Sequence, residues 1–517
     1  MSTPKAVLGI DVGTQGLTVL LVNIDDAGLP IVATGEATYD FVPNVAEGCY
    51  EQWASDWERA LEVSMEQIRE SLDRYQVVAI GIAGQMHGQV LVNAQDQTLG
   101  TVRLWCDSRN QAEAERISDW FGMTVPLPKR ITVARWLWSI RNQPDIAKET
   151  TFMTTPAGWL SFRLTNTKAL GIGDASGMFP MDSTTLDYRA DLLQLFDAKI
   201  AQEYPDMPPL STILPRVVPC GHDAGSLSAE AAQRLGLPVG IPVAAAEGDQ
   251  PAALVGSLIG EAGMASCSFG TSVCANLVGS PSDPTILSPM VNHFTAVNGQ
   301  PIYMVWLRNG TTFFNTMVNS YGGDFDTIMP QVLQAAPDCG GLLSLPFMDD
   351  EPGLHVHQGG TALTIGWNQS NATPGNACKA ALLSTMFNLL QGTRYLQSRQ
   401  VAMTEILLSG GLTKTPETGQ IVANVFGIPV RLLEGAEEGC SWGAAVLAKY
   451  RHDCWSQGNS NPSPTEWPAF LQSIIARPSR RYQPVTEDVE IYKQVYERYQ
   501  NLLALETQLR RAVSTDS

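Results

Sequence analysis

The chain is poor in basic residues for its length. Its 517 residues include 33 lysines and arginines against 52 aspartates and glutamates, and the formal net charge is −19. A surface with this charge repels nucleic acids and anionic membranes, so neither is expected as a partner. One hydrophobic core rarely supports a chain of this length, and two large domains are therefore expected.

The chain also lacks the cysteine patterns of disulfide frameworks and zinc sites. Its nine cysteines are scattered and contain no CxxC pair, which indicates reduced, mostly buried thiols in a cytoplasmic protein. Long apolar runs are missing too, since the stretch 241–260 is interrupted by Glu247, Asp249 and Pro251. No membrane span is expected, and the N-terminus passes into a strand pattern without the apolar segment of a signal peptide.

Two common nucleotide-binding fingerprints are not found in the sequence. Neither GxxxxGKS/T nor GxGxxG occurs, which counts against a P-loop ATPase and a Rossmann dehydrogenase. A shorter pattern occurs twice instead, in residues 8–15 and 265–272, roughly half the chain apart. Each copy has apolar residues on both sides of a Gly-Thr turn, which predicts a strand, a tight turn and a second strand.

The two turns are candidates for holding a polyphosphate. Their residues are Gly13, Thr14, Gln15, Gly270, Thr271 and Ser272. Glycine lets backbone N–H groups approach an anion closely, and the threonine hydroxyl adds a donor. Two such turns facing each other could hold one polyphosphate from both sides, which predicts a cleft between two similar domains.

Strand-like and helix-like segments alternate along the chain, which predicts α/β domains. The expected strands cover 7–11, 17–22, 77–82, 302–306 and 405–408, and the expected helices cover 52–72, 379–396, 437–450 and 485–511. The segment 182–219, rich in Asp and Pro, is expected to be irregular. Because the halves repeat one plan, the domains are placed at 1–254 and 255–517.

Two aspartates are candidates for acid–base and metal chemistry. Asp11 ends the first expected strand and could simply cap its own turn, but beside a phosphate site its carboxylate implies an intervening Mg²⁺. Asp249 follows a buried strand and opens a helix. It could be an ordinary helix N-cap followed by Pro251, or a general base that accepts the proton of an attacking hydroxyl. The two interpretations of Asp249 are compatible.

A glycine-flanked loop offers candidate contacts for a sugar. Gln85, Met86 and His87 lie between two strand-like runs. Their donors and acceptors suit sugar hydroxyls. A lone histidine in such a place is, however, more often a satisfied core or turn residue than a ligand.

Two further segments carry weaker signals. Trp105 and Asp107, followed by Arg109, add an apolar platform and a charge pair at a strand end, with a surface ion pair beside a buried tryptophan as the alternative. Gly410 and Gly411 follow an expected strand. A glycine pair in this position permits close packing of a flat ring or a helix N-terminus beneath a nucleotide.

The motifs resemble, in order and spacing, those of the FGGY carbohydrate kinases over nearly the whole chain. The matching segments are 11–14 (DVGT), 84–88 (GQMHG), 248–249 (GD), 268–272 (SFGTS), 409–413 (SGGLT) and 438–445 (EGCSWGAA). The loop 84–88 is similar to that of the xylulokinase and sedoheptulokinase branch. The family implies two actin-like, ribonuclease-H-like (ASKHA) domains with a central cleft that closes on ATP, Mg²⁺ and a ketose.

By matching position, the resemblance also implies roles for single residues. Asp249 would be the catalytic base, Asp11 would organise the metal with Asp249 as the second candidate ligand, and Met86 and His87 would touch the sugar. The remaining candidates are Gln85, Trp105, Asp107 and Gln250 for the sugar, and the two Gly-Thr turns with Gly410 and Gly411 for ATP.

Three departures from the family pattern concern the sugar rather than the phosphorylation: Gln250 and Cys106 each replace an Asn, and 347–351 replaces a Gly-Glu-Arg-Thr-Pro stretch. The expected activity is ATP-dependent phosphorylation of the terminal hydroxyl of a ketose, D-xylulose first, giving D-xylulose 5-phosphate. D-Ribulose, L-xylulose and sedoheptulose are alternative substrates, and a nucleotide-dependent clamp without sugar chemistry is the alternative from another class. Apolar residues near the C-terminal helix could support a homodimer.

Overall fold

A computed structural model describes residues 3–284, 286–433, 439–474 and 479–513. The strands are β1 (Lys5–Val12), β2 (Gly16–Asn23), β3 (Ile31–Thr38), β4 (Glu51–Gln52), β5 (Gln76–Gly84), β6 (Val90–Val92), β7 (Val102–Arg103), β8 (Phe152–Thr154), β9 (Ala169–Gly171), β10 (Met181–Asp182), β11 (Asp187–Tyr188), β12 (Arg216–Val218), β13 (Glu247–Gly248), β14 (Met264–Phe269), β15 (Val273–Val278), β16 (Val291–Thr295), β17 (Pro301–Leu307), β18 (Leu343–Leu345), β19 (Leu363–Ile365), β20 (Glu405–Gly410), β21 (Val430–Leu433) and β22 (Ser479–Tyr482).

The helices follow the same chain order. They are α1 (Ala54–Gln67), α2 (Arg69–Leu72), α3 (Gln111–Trp120), α4 (Thr132–Asn142), α5 (Pro144–Glu149), α6 (Pro156–Thr165), α7 (Ile172–Met178), α8 (Ala190–Glu203), α9 (Leu210–Ile213), α10 (Ala229–Leu235), α11 (Asp249–Gly256), α12 (Thr312–Ser320), α13 (Phe325–Gln334), α14 (Pro374–Ser398), α15 (Thr418–Phe426), α16 (Gly439–Ser456), α17 (Glu466–Ser473), α18 (Thr486–Leu503) and α19 (Glu506–Val513). Within the described ranges, no helix is long and apolar enough to cross a membrane.

The chain forms two compact units. The first contains Met1–Gly260, Phe294–Pro301 and Ala436–Ala476, and the second contains Glu261–His293, Ile302–Gly435 and Arg477–Ser517. The division at residues 254 and 255 stays a prediction about domain boundaries. The structure adds that a late segment of the chain, with helix α16, belongs to the first unit.

The first unit is built on a five-stranded sheet in the order β13-β5-β1-β2-β3. Strands β1, β2 and β3 are antiparallel neighbours, while β5 runs parallel to β1 and β13 runs parallel to β5. The apolar residues of β1 and β5 are buried on both faces, as expected for central strands covered by helices. The three parallel strands β1, β5 and β13 therefore end at the same edge of the sheet, and this edge carries most of the predicted site.

Helix α16 packs on this sheet through two glycines of the central strands. A Cβ atom on Gly9 would lie 2.0 Å from the carbonyl oxygen of Ser441, and one on Gly81 would lie 1.9 Å from that of Ala444. Only glycine lets helix and sheet backbones come this close. The predicted helix 437–450 is observed from Gly439 onward; Glu437 and Glu438 lie outside the described residues.

The second unit repeats the plan of the first. Strands β17, β15 and β14 are antiparallel neighbours, β20 is parallel to β14, and β21 is parallel to β20. This is the arrangement of β3, β2, β1, β5 and β13, so the two Gly-Thr turns occupy equivalent places in two sheets. Helix α14 is buried along most of its length and begins at Pro374, with Thr373 as its side-chain N-cap.

Three predictions of secondary structure needed correction. The helix predicted over 52–72 is two helices, α1 and α2, and Gln52 belongs to strand β4. The segment 182–219 is not irregular throughout, because α8 lies within it; its apolar residues Leu192, Phe196 and Ile200 recur every fourth position and are buried. The C-terminal helix predicted over 485–511 is two helices, α18 and α19, with Ala504 and Leu505 between them. Tyr499 of α18 donates a hydrogen bond of 2.5 Å to Asn388 of α14, which anchors α18 to the second unit.

Candidate active site

The carboxyl ends of β1, β5 and β13 carry the candidate catalytic residues of the first unit. Asp11 of β1 and Glu247 of β13 both pair with Ala83 of β5, so the three strands end in register. Adjacent strands lie about 4.8 Å apart, which puts β1 and β13 roughly 10 Å from each other. Asp11 and Asp249, the residue after β13, therefore leave the same edge of one sheet, on either side of the loop that follows β5.

Asp249 is the first residue of helix α11. The N-cap of this helix is Gly248, so Asp249 is not the N-cap that the sequence offered as one interpretation. Burial raises the pKa of Asp249 from 3.8 to about 6, although hydrogen bonds from the backbone and the side chain of Gln250 lower it in part. At neutral pH the carboxylate is ionised but more basic than that of an ordinary aspartate.

Met86 packs directly against the residue before Asp249. A Cβ atom on Gly248 would lie 2.4 Å from Cγ of Met86 and 2.7 Å from its Sδ. Met86 itself is only 3% exposed. The structure thus places Met86, which the sequence singled out as a sugar contact, against the residue that precedes Asp249, the candidate base.

His87 is held in a single orientation by its backbone and its ring. Its φ of 66° lies in the left-handed region, and its Nδ1 lies 2.9 Å from the carbonyl oxygen of Gly177. Because a carbonyl oxygen only accepts, Nδ1 carries the proton and Nε2 is left as an acceptor. Burial, together with the positive charge of Arg130, holds the pKa of His87 well below its usual value. The imidazole is therefore neutral at pH 7.

Three polar side chains donate hydrogen bonds to backbone carbonyl oxygens of the first Gly-Thr turn. The hydroxyl of Tyr39 lies 2.6 Å from the carbonyl oxygen of Gly13, and Gln52 donates a hydrogen bond of 2.7 Å to that of Thr14. Gln85 donates to Gly13 at 3.3 Å and to Gln52 at 3.0 Å. The structure thus shows that Gln85 helps to hold the first Gly-Thr turn in place. The neighbouring Gln15 remains exposed.

The environments of Trp105 and Asp107 are the reverse of the alternative considered from sequence, which was a surface ion pair beside a buried tryptophan. Trp105 is 46% exposed, whereas Asp107 is fully buried. The indole of Trp105 donates a hydrogen bond of 3.1 Å to the hydroxyl of Thr14. Asp107 pairs with Arg109 at 2.7 Å and accepts the backbone N–H of Tyr50 at 3.0 Å. Trp105 therefore offers a partly open apolar face next to the first turn, while Asp107 fixes the loop that carries it.

The candidate nucleotide residues of the second unit also lie at one sheet edge. Phe269, the last residue of β14, pairs with Gly410 at the end of β20. Gly410 has φ 78° and ψ −160°, a conformation open essentially to glycine alone, and a Cβ there would lie 2.7 Å from the carbonyl oxygen of Phe269. Gly411, Thr271 and Ser272 are exposed at this edge. The turn and the glycine pair, predicted separately, are neighbours.

Comparison with known proteins identifies the family of the chain. The N-terminal domain model of the FGGY family of carbohydrate kinases matches residues 6–256, and the C-terminal domain model matches residues 265–452. The chain belongs to the FGGY family of carbohydrate kinases. The predicted family and fold class, two actin-like α/β domains, are thereby confirmed.

Individual relatives of this FGGY kinase differ in their named substrates. A protein named xylulose kinase from Haemophilus influenzae is 25% identical over 95% of this chain and 98% of its own length. A solved structure of a xyloylose kinase from Brucella ovis has a TM-score of 0.83 at 22% identity, covering 97% of this chain and 99% of that one. A gluconate kinase from Lactobacillus acidophilus has a TM-score of 0.80 at 17% identity, covering 98% and 99%. The structural likenesses show the shared fold.

ATP and Mg²⁺ are the cofactors of the family, and the residues present fit both. In the described part of the chain no group of three or more His, Cys, Asp or Glu side chains could hold a metal alone. Mg²⁺ is usually bound by one or two carboxylates with water and phosphate oxygens completing its shell, which matches Asp11 and Asp249 at one edge. Gly411, exposed just after β20 and beside the second Gly-Thr turn, leaves its backbone open to a closely approaching nucleotide.

Two buried carboxyl groups behind Asp249 were not foreseen as part of the site. Glu247 and Asp174 are both fully buried; Glu247 accepts the backbone N–H of Asp174 at 3.0 Å, and Thr155 donates to Asp174 at 2.5 Å. Burial raises the pKa of Asp174 to about 8 and that of Glu247 well above its usual value, each helped by a neighbouring carboxylate. The signal in the sequence was Glu247 itself, a charged residue inside an apolar run.

Proposed function

We propose that this FGGY kinase transfers the γ-phosphoryl group of ATP to the terminal primary hydroxyl of a ketose, with D-xylulose as the first substrate and D-xylulose 5-phosphate as the product. The loop of Gln85, Met86 and His87 and the relative from Haemophilus influenzae, which is named xylulose kinase, support this choice of sugar. D-Ribulose, L-xylulose and sedoheptulose remain the alternative acceptors.

The observation that carries the proposal is the environment of Asp249. Asp249 is the first residue of helix α11 at the sheet edge, and the residue before it, Gly248, packs against Met86. Burial raises the pKa of Asp249 to about 6, which is close to neutral pH. A general base is most effective when its pKa is near the pH at which it works. In the proposed reaction Asp249 accepts the proton of the sugar hydroxyl as that oxygen attacks the γ-phosphorus.

The other candidate residues orient the acceptor. The neutral His87 offers Nε2 as an acceptor for a sugar hydroxyl, and Met86 provides an apolar contact between His87 and the helix of the base. Trp105 offers its exposed face beside the first turn. Asp11 and Asp249 would hold Mg²⁺, which supplies neutralisation of the phosphate charge when bound. The two Gly-Thr turns and the glycine pair 410–411 would bind the phosphates and the adenosine.

A panel of ketoses tested by coupled detection of ADP examines this proposal. D-Xylulose, D-ribulose, L-xylulose and sedoheptulose are each added with ATP and Mg²⁺, and the product is identified by mass spectrometry. ADP release that depends on a ketose and yields its terminal phosphate supports the kinase and identifies the sugar. Slow hydrolysis of ATP that no sugar accelerates would instead support the nucleotide-dependent clamp.

A further inference from the structure

Helix α7 packs against one side of the proposed sugar loop. The carbonyl oxygen of Gly177, in the last turn of this helix, accepts the Nδ1–H of His87 at 2.9 Å. A Cβ atom on Gly177 would lie 2.9 Å from the same Nδ1 and 3.1 Å from Cε of Met86. The position of α7 therefore determines where the His87 ring lies and which of its nitrogens carries the proton.

Strand β13 packs against the other side of the same loop. Met86 contacts Gly248 there, because a Cβ atom on Gly248 would lie 2.4 Å from Cγ of Met86 and 3.2 Å from its Cε. Met86 thus contacts both α7 and the residue that precedes the candidate base Asp249. A shift of α7 relative to β13 would change the distance between His87 and Asp249.

Glu247 connects these two sides directly. It belongs to β13, and its carboxylate accepts the backbone N–H of Asp174 in α7 at 3.0 Å. The backbone N–H of Gly173 donates to the same carboxylate. Both N–H groups lie in the first turn of α7, where a helix has no partners of its own, and the N-cap residue Gly171 has no side chain to supply one. Glu247 therefore caps α7 from a different element of the fold.

Two glycines leave room for this carboxylate. A Cβ atom on Gly171 would lie 2.3 Å from Oε1 of Glu247, and one on Gly173 would lie 2.4 Å from its Oε2. Glu247 is fully buried, so packing on several sides fixes its side chain. A larger residue at either glycine would push the carboxylate away from the helix. The contact between Glu247 and α7 thus depends on a matching shape on both elements.

The position of α7 depends on such contacts because the helix has only seven residues. A helix of this length is not stable alone, and its neighbours determine where it lies. Its apolar side chains are buried: Ile172, Ala175 and Met178. Apolar contacts are non-directional and hold a helix against a core without fixing its rotation. The directional hydrogen bonds to Glu247, with the one that Thr155 donates to Asp174 at 2.5 Å, fix the first turn.

We propose that Glu247 is a positioning residue for phosphoryl transfer, because it caps α7 from the strand that leads into Asp249 and so holds His87, with its proton on Nδ1, at a fixed distance from the base. The inference rests on the proposed function, in which His87 contacts the sugar and Asp249 accepts its proton. Glu247 contacts neither substrate and transfers no proton. Its effect on the rate comes from geometry, since a displacement of about 1 Å in a site can cost about 100-fold in rate.

Two substitutions of Glu247 test the proposal with the best ketose of the panel. Glu247→Ala removes the cap and should lower kcat by about 10-fold or more. KM should rise less than about 3-fold, because a sugar hydroxyl can donate or accept and still bonds to a displaced imidazole. Glu247→Gln keeps an acceptor oxygen at the same reach and should restore kcat to within about 3-fold of the wild type.

The proton position on His87 gives a readout that needs no turnover. In protein that contains 15N-labelled histidine, the chemical shift of Nδ1 distinguishes a protonated from an unprotonated nitrogen. The signals of His87 are assigned by their absence from His87→Asn. We expect a protonated Nδ1 in the wild type and in Glu247→Gln, and loss of this form in Glu247→Ala, because the carbonyl oxygen of Gly177 no longer lies in place to accept the proton.

The matched control is Glu113→Ala. Glu113 is also a buried glutamate of the first unit, 3% exposed, but it pairs with Arg141 between α3 and α4, outside the contact of α7 with β13. This variant should leave kcat, KM and the His87 signals at their wild-type values. The thermal midpoint of every variant reports whether it folds and how much stability it has lost.

Four outcomes decide against one or the other idea. Wild-type kcat and His87 signals in Glu247→Ala would show that α7 stays in place without the cap, and would leave the proposed function intact. Equal losses of kcat and thermal midpoint in Glu247→Ala and Glu113→Ala would reduce Glu247 to a structural role. A slow Glu247→Ala that keeps the proton on Nδ1 of His87 would contradict the route through His87. If no ketose releases ADP, the proposed function fails, and the His87 signals still decide whether Glu247 fixes the imidazole.

Discussion

The pH dependence of kcat/KM is a direct consequence of the environment of Asp249. Burial raises the pKa of this carboxyl from 3.8 to about 6, and a general base must be ionised to accept a proton. At pH 5 only about one-tenth of the enzyme would hold the base in its active form, whereas an ordinary aspartate with pKa 3.8 would be more than nine-tenths active. Measuring kcat/KM for the best ketose between pH 4.5 and 8.5 therefore separates these cases by about tenfold at pH 5.

The same pKa shift has a consequence for stability whose sign can be stated. Because the folded-state pKa lies above the unfolded value, the folded protein binds the extra proton between about pH 4 and 6, and stability is lost as the pH rises through this range. The shift from 3.8 to about 6 corresponds to at most about 3 kcal/mol in the free energy of unfolding. Asp249→Asn should therefore be more stable than the wild type at pH 7.5.

Urea denaturation at pH 7.5 and pH 4 checks the stability prediction, since the difference between variant and wild type should shrink at the lower pH. The matched control is Asp326→Asn, which changes an exposed aspartate in the first turn of α13. A flat profile of kcat/KM down to pH 5, with equal stability of Asp249→Asn and wild type at both pH values, would refute the reasoning about this carboxyl.

Three further substitutions test the packing around the site. Gly248→Ala puts a Cβ 2.4 Å from Cγ of the buried Met86 and should lower kcat/KM at least tenfold, whereas Gly439→Ala, in open space, should not. Tyr39→Phe removes the hydroxyl that holds the first turn and should lower the free energy of unfolding by about 1 to 2 kcal/mol in urea titrations. Gly410→Ala should weaken ATP binding in calorimetry more than it changes KM for the sugar, because its strained conformation belongs to the candidate nucleotide edge.

Local patterns made the two turns and Asp249 predictable from sequence. Each turn is a hairpin whose glycine and threonine lie between apolar strands, and these signals depend on neighbouring residues only. Asp249 stood out for the same reason, since it follows a buried strand and opens a helix. Their assembly at sheet edges followed from the parallel pairing of strands that are far apart in the chain.

Features that depend on distant parts of the chain could not be predicted in this way. Helix α16 packs on the first sheet because Gly9 and Gly81 have no side chain, but neither glycine indicates in the sequence which helix packs against it. Glu247 was visible as a charge in an apolar run, but its contact with Asp174 is tertiary.

The role of Asp249 as the base is the central claim, and product formation by Asp249→Asn tests it most directly. The variant and the Asp326→Asn control are given ATP, Mg²⁺ and the best ketose of the panel, and the sugar phosphate is counted by mass spectrometry while ATP binding is measured by calorimetry. The account predicts that Asp249→Asn forms the product at least about 100-fold more slowly, with ATP affinity nearly unchanged. Product formation by Asp249→Asn at a rate near that of the wild type would contradict it.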